Sequence, residues 1–146
     1  MQCPFAGHSN RYDVDGRIII LTGGAQMKTR VADFDTMPDG KAHCVKTCGV
    51  SLVLIRQGDS VRALENKCPH IGLPIGKGKI ENGEIVCPFH GSRFSIETGE
   101  NTDWVSAVAG MKIPVWTRGL LAFGKKPQPV RTFAAHVEDG GVFVEL

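Results

Sequence analysis

Two short stretches, Cys68-Pro69-His70 and Cys87-Pro88-Phe89-His90, bring two thiols and two imidazoles together with only residues 71 to 86 between them. Thiolates and imidazoles bind zinc and iron–sulfur clusters, so metal chemistry is the first expectation. Structural zinc sites usually leave at least two residues between paired ligands, which lets the chain wrap around the ion. A single proline between Cys68 and His70 fits such a knuckle poorly, whereas the spacing of Cys87 and His90 suits either metal. A [2Fe–2S] cluster with thiolates on one iron and imidazoles on the other accounts for the doublet, because each half then supplies one Cys to the inner iron and one His to the outer. Pro69 and Pro88 fix a backbone angle and remove a donor in each loop. Gly72 and Gly91 are expected to let backbone amides approach the cluster sulfurs.

The strings "CPHIGLPIGKG" and "CPFHGSRF" resemble the two boxes of the Rieske [2Fe–2S] family, and with the flanking "VRALENKCPH" and the closing "VEDGGVFV" the likeness runs from about residue 29 to residue 146. The resemblance implies a Rieske iron–sulfur fold, an antiparallel β-sandwich base carrying a small two-loop cluster-binding subdomain. It also implies Cys68 and Cys87 as ligands of the inner iron, and His70 and His90 as ligands of the outer, solvent-facing one. Ser92 stands where family members hydrogen-bond a cluster sulfur through a serine hydroxyl. Leu73 and Phe89 occupy the positions of two disulfide-forming cysteines in the quinol-oxidising members, and Phe94 that of a tyrosine. These replacements imply the soluble ferredoxin-like branch, with a potential in the lower part of the roughly −150 to +300 mV of Rieske centres.

Such a centre transfers one electron at a time. A Rieske oxygenase also needs a mononuclear iron held by two histidines and a carboxylate. Outside the boxes only His8, His43 and His136 remain, and none forms a close pair on a helix. The expected role is therefore an electron carrier rather than an enzyme by itself: a ferredoxin passing electrons from a reductase to a terminal oxygenase. The alternatives are a small Rieske-type subunit of a larger oxidoreductase such as nitrite reductase, or a zinc-binding interaction module.

The elements that must position these residues read as all-β. The chain has 146 residues, enough for one ordinary domain, and its 18 glycines and 8 prolines fall between short β-branched runs. Residues 1 to 28 are read as an N-terminal arm containing one short strand, "RIIILT", and residues 29 to 146 as the Rieske domain. Within it, "KAHCVKTCG" and "VSLVLIRQGDSVRALENK" predict three strands, with "VSLVLI" buried on both faces. Residues 66 to 100 are expected to hold the cluster in loops around the strand "EIVC". Residues 101 to 126 read as a long loop with a helical turn, and "VRTFAAHVEDGGVFVEL" as a hairpin around Asp139-Gly140-Gly141. Cys44 and Cys48 share strand parity and are expected to face the core.

A net charge of +2 is too small to draw nucleic acid or an anionic membrane by bulk attraction. The apolar run Ile18 to Leu21 is far too short for a signal segment or a membrane anchor, so a cytoplasmic protein is expected. From Trp104 to Val137 there are five lysines and arginines and no acid, which predicts either a solvated face or a surface for a charged partner.

Overall fold

The computed structural model describes residues 28–146, so the predicted arm strand "RIIILT" and Cys3 lie outside the described residues. Strand β1 (Lys28–Asp33) leads through a single 3-10 turn, Phe34–Thr36, to β2 (Ala42–Thr47), β3 (Val50–Gln57) and β4 (Ser60–Glu65). Next come β5 (Ile80–Glu81), β6 (Glu84–Val86), β7 (Arg93–Ser95) and β8 (Asn101–Asp103). A short hairpin, β9 (Ala107–Val108) and β10 (Met111–Lys112), precedes the helix α1 (Val115–Leu121), and β11 (Thr132–Phe133), β12 (Ala135–Glu138) and β13 (Gly141–Glu145) end the chain. The sheets run β1-β13-β12, β11-β4-β3-β2 and β5-β6-β7-β8.

β3 holds the molecule together. Its near-continuous apolar run places Leu52, Val53, Leu54 and Ile55 wholly out of solvent. Because side chains alternate across a strand, Val53 and Ile55 pack with Ile75, Ile85, Phe94 and Ile96 of the cluster-loop region, while Leu52 and Leu54 pack with Met37, Val142 and Val144. Burying one such side chain is worth about 1.5–3 kcal/mol. The same strand thus fastens the sheet β5–β8 on one side and the C-terminal hairpin on the other.

The three predicted strands from Ala42 to Glu65 are present in the expected order. Two expectations change. Cys44 and Cys48 do not line the core: both residues are exposed, and Cys48 sits in the β2–β3 turn at a φ of 48°, which ends the parity that would have aligned it with Cys44. Cys44 lies on the outermost strand of its sheet, where Sγ fills the space a side chain at Gly76 would need, 2.2 Å from an ideal Cβ. The segment 101–126 is more ordered than a loop. It contains β8, a two-residue hairpin turning on Ala109-Gly110, and α1.

Candidate metal centre

The two boxes fold as matching turns. In the first, between β4 and β5, Cys68 N–H donates to the Leu73 carbonyl (2.7 Å) and Gly72 N–H to the Cys68 carbonyl (2.8 Å). In the second, between β6 and β7, Cys87 N–H donates to the Ser92 carbonyl (2.8 Å) and Gly91 N–H to the Cys87 carbonyl (3.1 Å). Both glycines have left-handed backbones, φ 80° and 67°, that close the turn. Their own amides bind the cysteine carbonyls, so the amides nearest the sulfurs are those of other residues in the turns. The N–H groups that favour a thiolate at Cys68 are those of His70 and Ile71, and at Cys87 those of Phe89 and His90. The same two offsets from cysteine recur in both loops, although the histidine stands at the first offset in one and the second in the other.

Each turn is braced from outside. Asn66 Oδ1 accepts from Gly76 N–H (2.8 Å) and its Nδ2 donates to Ser51 Oγ (3.3 Å), pinning the first loop to β3. The second loop rests on residues 105–107. Ser106 Oγ donates to the Gly91 carbonyl (2.8 Å), Ala107 N–H to the His90 carbonyl (3.1 Å), and Val105 N–H to Ser92 Oγ (3.0 Å). Val105 is fully buried at a φ of 47°, a backbone that a β-branched residue rarely adopts. Nothing in the sequence singled out Val105 or Ser106, because these contacts are made by backbone groups and a small hydroxyl.

Between the loops the four predicted side chains meet as two pairs. Cys68 and Cys87 are both buried and share a thiol hydrogen bond. Donation from Cys68 brings the Cys87 thiol down to about 6. The same bond, with burial, pushes Cys68 up. The His70 and His90 rings meet edge to face at 4.9 Å. Burial, and then the neighbouring His90 charge, lower the pKa of His70, so its imidazole is held neutral.

His70 departs from the expected solvent-facing position. It is fully buried, with Trp104 edge-on at 5.5 Å and Phe123 stacked at 5.7 Å. Lys125 Nζ donates to its carbonyl (2.5 Å), and Trp104 Nε1 donates to the carbonyl of Lys125 (3.2 Å). The Leu121 and Ala122 carbonyls act on the ring, yet neither nitrogen of His70 makes a hydrogen bond of normal geometry. His90 is partly exposed.

The family model of the Rieske [2Fe–2S] domain matches residues 27–116. This chain belongs to the Rieske [2Fe–2S] domain family. Apoptosis-inducing factor 3 of Mus musculus is 31% identical over 78 residues, 53% of this chain but 13% of that protein. The Rieske chain therefore spans only a small part of that relative. The ferredoxin component of the naphthalene 1,2-dioxygenase/salicylate 5-hydroxylase systems of Ralstonia sp is 33% identical over 69 residues, 47% of this chain and 66% of that one. Among solved structures, the ferredoxin of carbazole 1,9a-dioxygenase from Nocardioides aromaticivorans IC177 is 28% identical with a TM-score of 0.62, over 81% of this chain and 96% of that one.

Membership implies a Rieske-type [2Fe–2S] cluster, and the residues present fit one. Buried polar atoms normally have partners. Here the ring nitrogens of His70 and Nδ1 of His90 are buried without a hydrogen bond of normal geometry, which leaves a nitrogen of each ring available to a metal. Among the described residues no three His, Cys, Asp or Glu side chains gather tightly enough to hold one metal ion. A cluster shared between two irons asks for a thiol pair and an imidazole pair. No helix of the described residues is long and apolar enough to cross a membrane.

Proposed function

We propose that Cys68 and Cys87 bind the inner iron and His70 and His90 the outer iron of one [2Fe–2S] cluster, and that the chain is a cytoplasmic ferredoxin supplying electrons to a terminal oxygenase. The observation that carries this reading is the pairing itself: two buried thiols hydrogen-bonded to each other, and two imidazoles in edge-to-face contact with buried nitrogens that lack a partner. When bound, the cluster supplies reversible one-electron redox chemistry.

The chain's own residues do the rest. The His70, Ile71, Phe89 and His90 amides stabilise negative charge on the two sulfurs. Burial keeps His70 neutral, the form in which imidazole binds metal. Ser92 Oγ accepts from Val105 N–H, which leaves its hydroxyl proton for a cluster sulfur. Ile71 and Phe89, 42% and 40% exposed, form an apolar rim for a transient redox partner.

The ferredoxin reading draws support from the likeness to the Nocardioides ferredoxin along almost that protein's whole length. A second reading, a small Rieske-type subunit of a larger oxidoreductase such as nitrite reductase, is favoured by one observation. On α1, Val115, Trp116 and Leu120 are 76%, 84% and 81% exposed, a surface that a permanent neighbour would cover.

Electron paramagnetic resonance of the purified protein, oxidised and dithionite-reduced, tests the cluster. The expected result is a brown protein with a reduced-state signal of low average g. A colourless zinc protein, silent on reduction, would overturn the reading. Rapid reoxidation of the reduced, monomeric protein by a Rieske oxygenase separates the ferredoxin from the permanent subunit.

A further inference from the structure

The two histidines of the centre are not equivalent. His70 has no exposed surface, whereas His90 is partly exposed beside Phe89. What covers His70 is the end of α1 and the residues just after it. The chain leaves α1 through Phe123 and Gly124, at φ of 51° and 71°, and this reversal lays the Phe123 ring parallel to the imidazole, 21° from coplanar. A bulky aromatic in the left-handed region is an outlier that only its surroundings maintain. Phe123 is not held by burial, being 68% exposed; its ring is the outer wall over His70, with Trp104 as the side wall. The Lys125 ammonium fastens this wall to the His70 backbone. Phe123 and Lys125 lie beyond the 27–116 span that the family model matches.

Building on the ligand assignment above, we propose that the α1 terminus and Phe123 seal the His70 side of the centre, so that electrons enter and leave through His90. Electron transfer between proteins weakens steeply with distance, and a partner can bring its own redox group closest where a ligand reaches the surface. The donor protein loses one electron at the His90 face and the acceptor protein gains it there. Phe123 is thus a positioning residue: it decides which ligand the partner meets.

The test follows exchange of the two imidazole N–H protons of the holoprotein in D2O, read as deuteron couplings in pulsed paramagnetic resonance of the dithionite-reduced state. Wild type is expected to show one fast and one slow proton. Phe123→Gly keeps the left-handed backbone and should speed the slow proton about tenfold or more, equivalent to lowering its opening cost by about 1.4 kcal/mol. Phe123→Tyr should restore the slow exchange. Equal rates in wild type, or a slow proton indifferent to Phe123→Gly, would overturn the seal. Loss of the reduced-state signal in wild type would overturn the cluster reading, and the proposal with it.

Discussion

Ser92 illustrates how a residue legible in the sequence is completed by one that is not. Ser92 is fully buried and its hydroxyl oxygen accepts from the Val105 amide, which leaves the proton free to donate, under the proposed assignment to a cluster sulfur. A hydrogen bond to a cluster sulfur stabilises the added negative charge of the reduced state and raises the potential. Ser92→Ala should therefore lower the potential in a redox titration while leaving the paramagnetic signal in place. An unchanged potential would remove Ser92 from the centre. Val105 holds this geometry at the backbone cost of about 1–3 kcal/mol typical of residues outside their preferred regions. Cys87 differs in kind, because it is a proposed ligand. Cys87→Ala should abolish the reduced-state signal and the brown colour together.

Elements position these residues through close contacts that tolerate little change. Gly91 combines a φ of 67° with a Cβ position 2.8 Å from the Cβ of Ala107, so the second loop lies directly on β9. Gly91→Ala should cost about 1–3 kcal/mol of stability in denaturant unfolding. The β9–β10 turn carries Ala109 at a φ of 49°, where asparagine is better suited. Ala109→Asn should raise stability by about 0.5–1 kcal/mol.

In the sheet beneath the loops, Arg93 bridges Glu84 and Glu81, both at 3.2 Å. A hydrogen bond from Thr102, and then Arg93, hold Glu84 below its usual 4.5. A carboxylate depressed by folding contributes stability above its unfolded value, and that contribution disappears as pH falls through its folded value. Thermal unfolding across the acidic range should show Glu84→Gln losing less stability than wild type below about pH 4.5.

Across the whole molecule, stability is shared unequally between the β-sandwich and the centre. β3 is buried on both faces by aliphatic side chains and needs no metal to hold its place. The loops 67–79 and 87–92 close instead around buried imidazole nitrogens without partners and a hydrogen-bonded pair of thiols. Binding of a cluster by the folded chain alone stabilises it by mass action. Removing the cluster should lower the melting temperature. Amide exchange should then rise first in the two loops and in residues 104–107 that brace them, with β3 protected to the end. The charge pattern is partly accounted for at this scale. Of the five basic residues from Trp104 to Val137, Arg118 pairs with Asp103 and Lys125 closes over the His70 carbonyl, so part of this stretch serves contacts within the molecule.

The four metal-binding candidates and the strands from Ala42 to Glu65 were legible because their signals are local: ligand spacing in the first case, apolar runs between turn dipeptides in the second. Asn82-Gly83 and Asp139-Gly140 make left-handed two-residue turns, with the residues such turns prefer. Ala109-Gly110 makes the same turn without that preference in its first residue, and so β9 and β10 read as loop. The amides that face the thiol sulfurs, the Val105 support for Ser92 and the wall over His70 depend on contacts between segments far apart in the chain. Lys125 meets His70 across 55 positions, and no spacing rule reaches that far. The sequence by itself determined which residues are the candidates for binding a cluster. Only the tertiary structure decided which of the two histidines meets the solvent, because the burial of His70 comes from Trp104, Phe123 and Lys125 meeting the first loop and is not written in either segment alone.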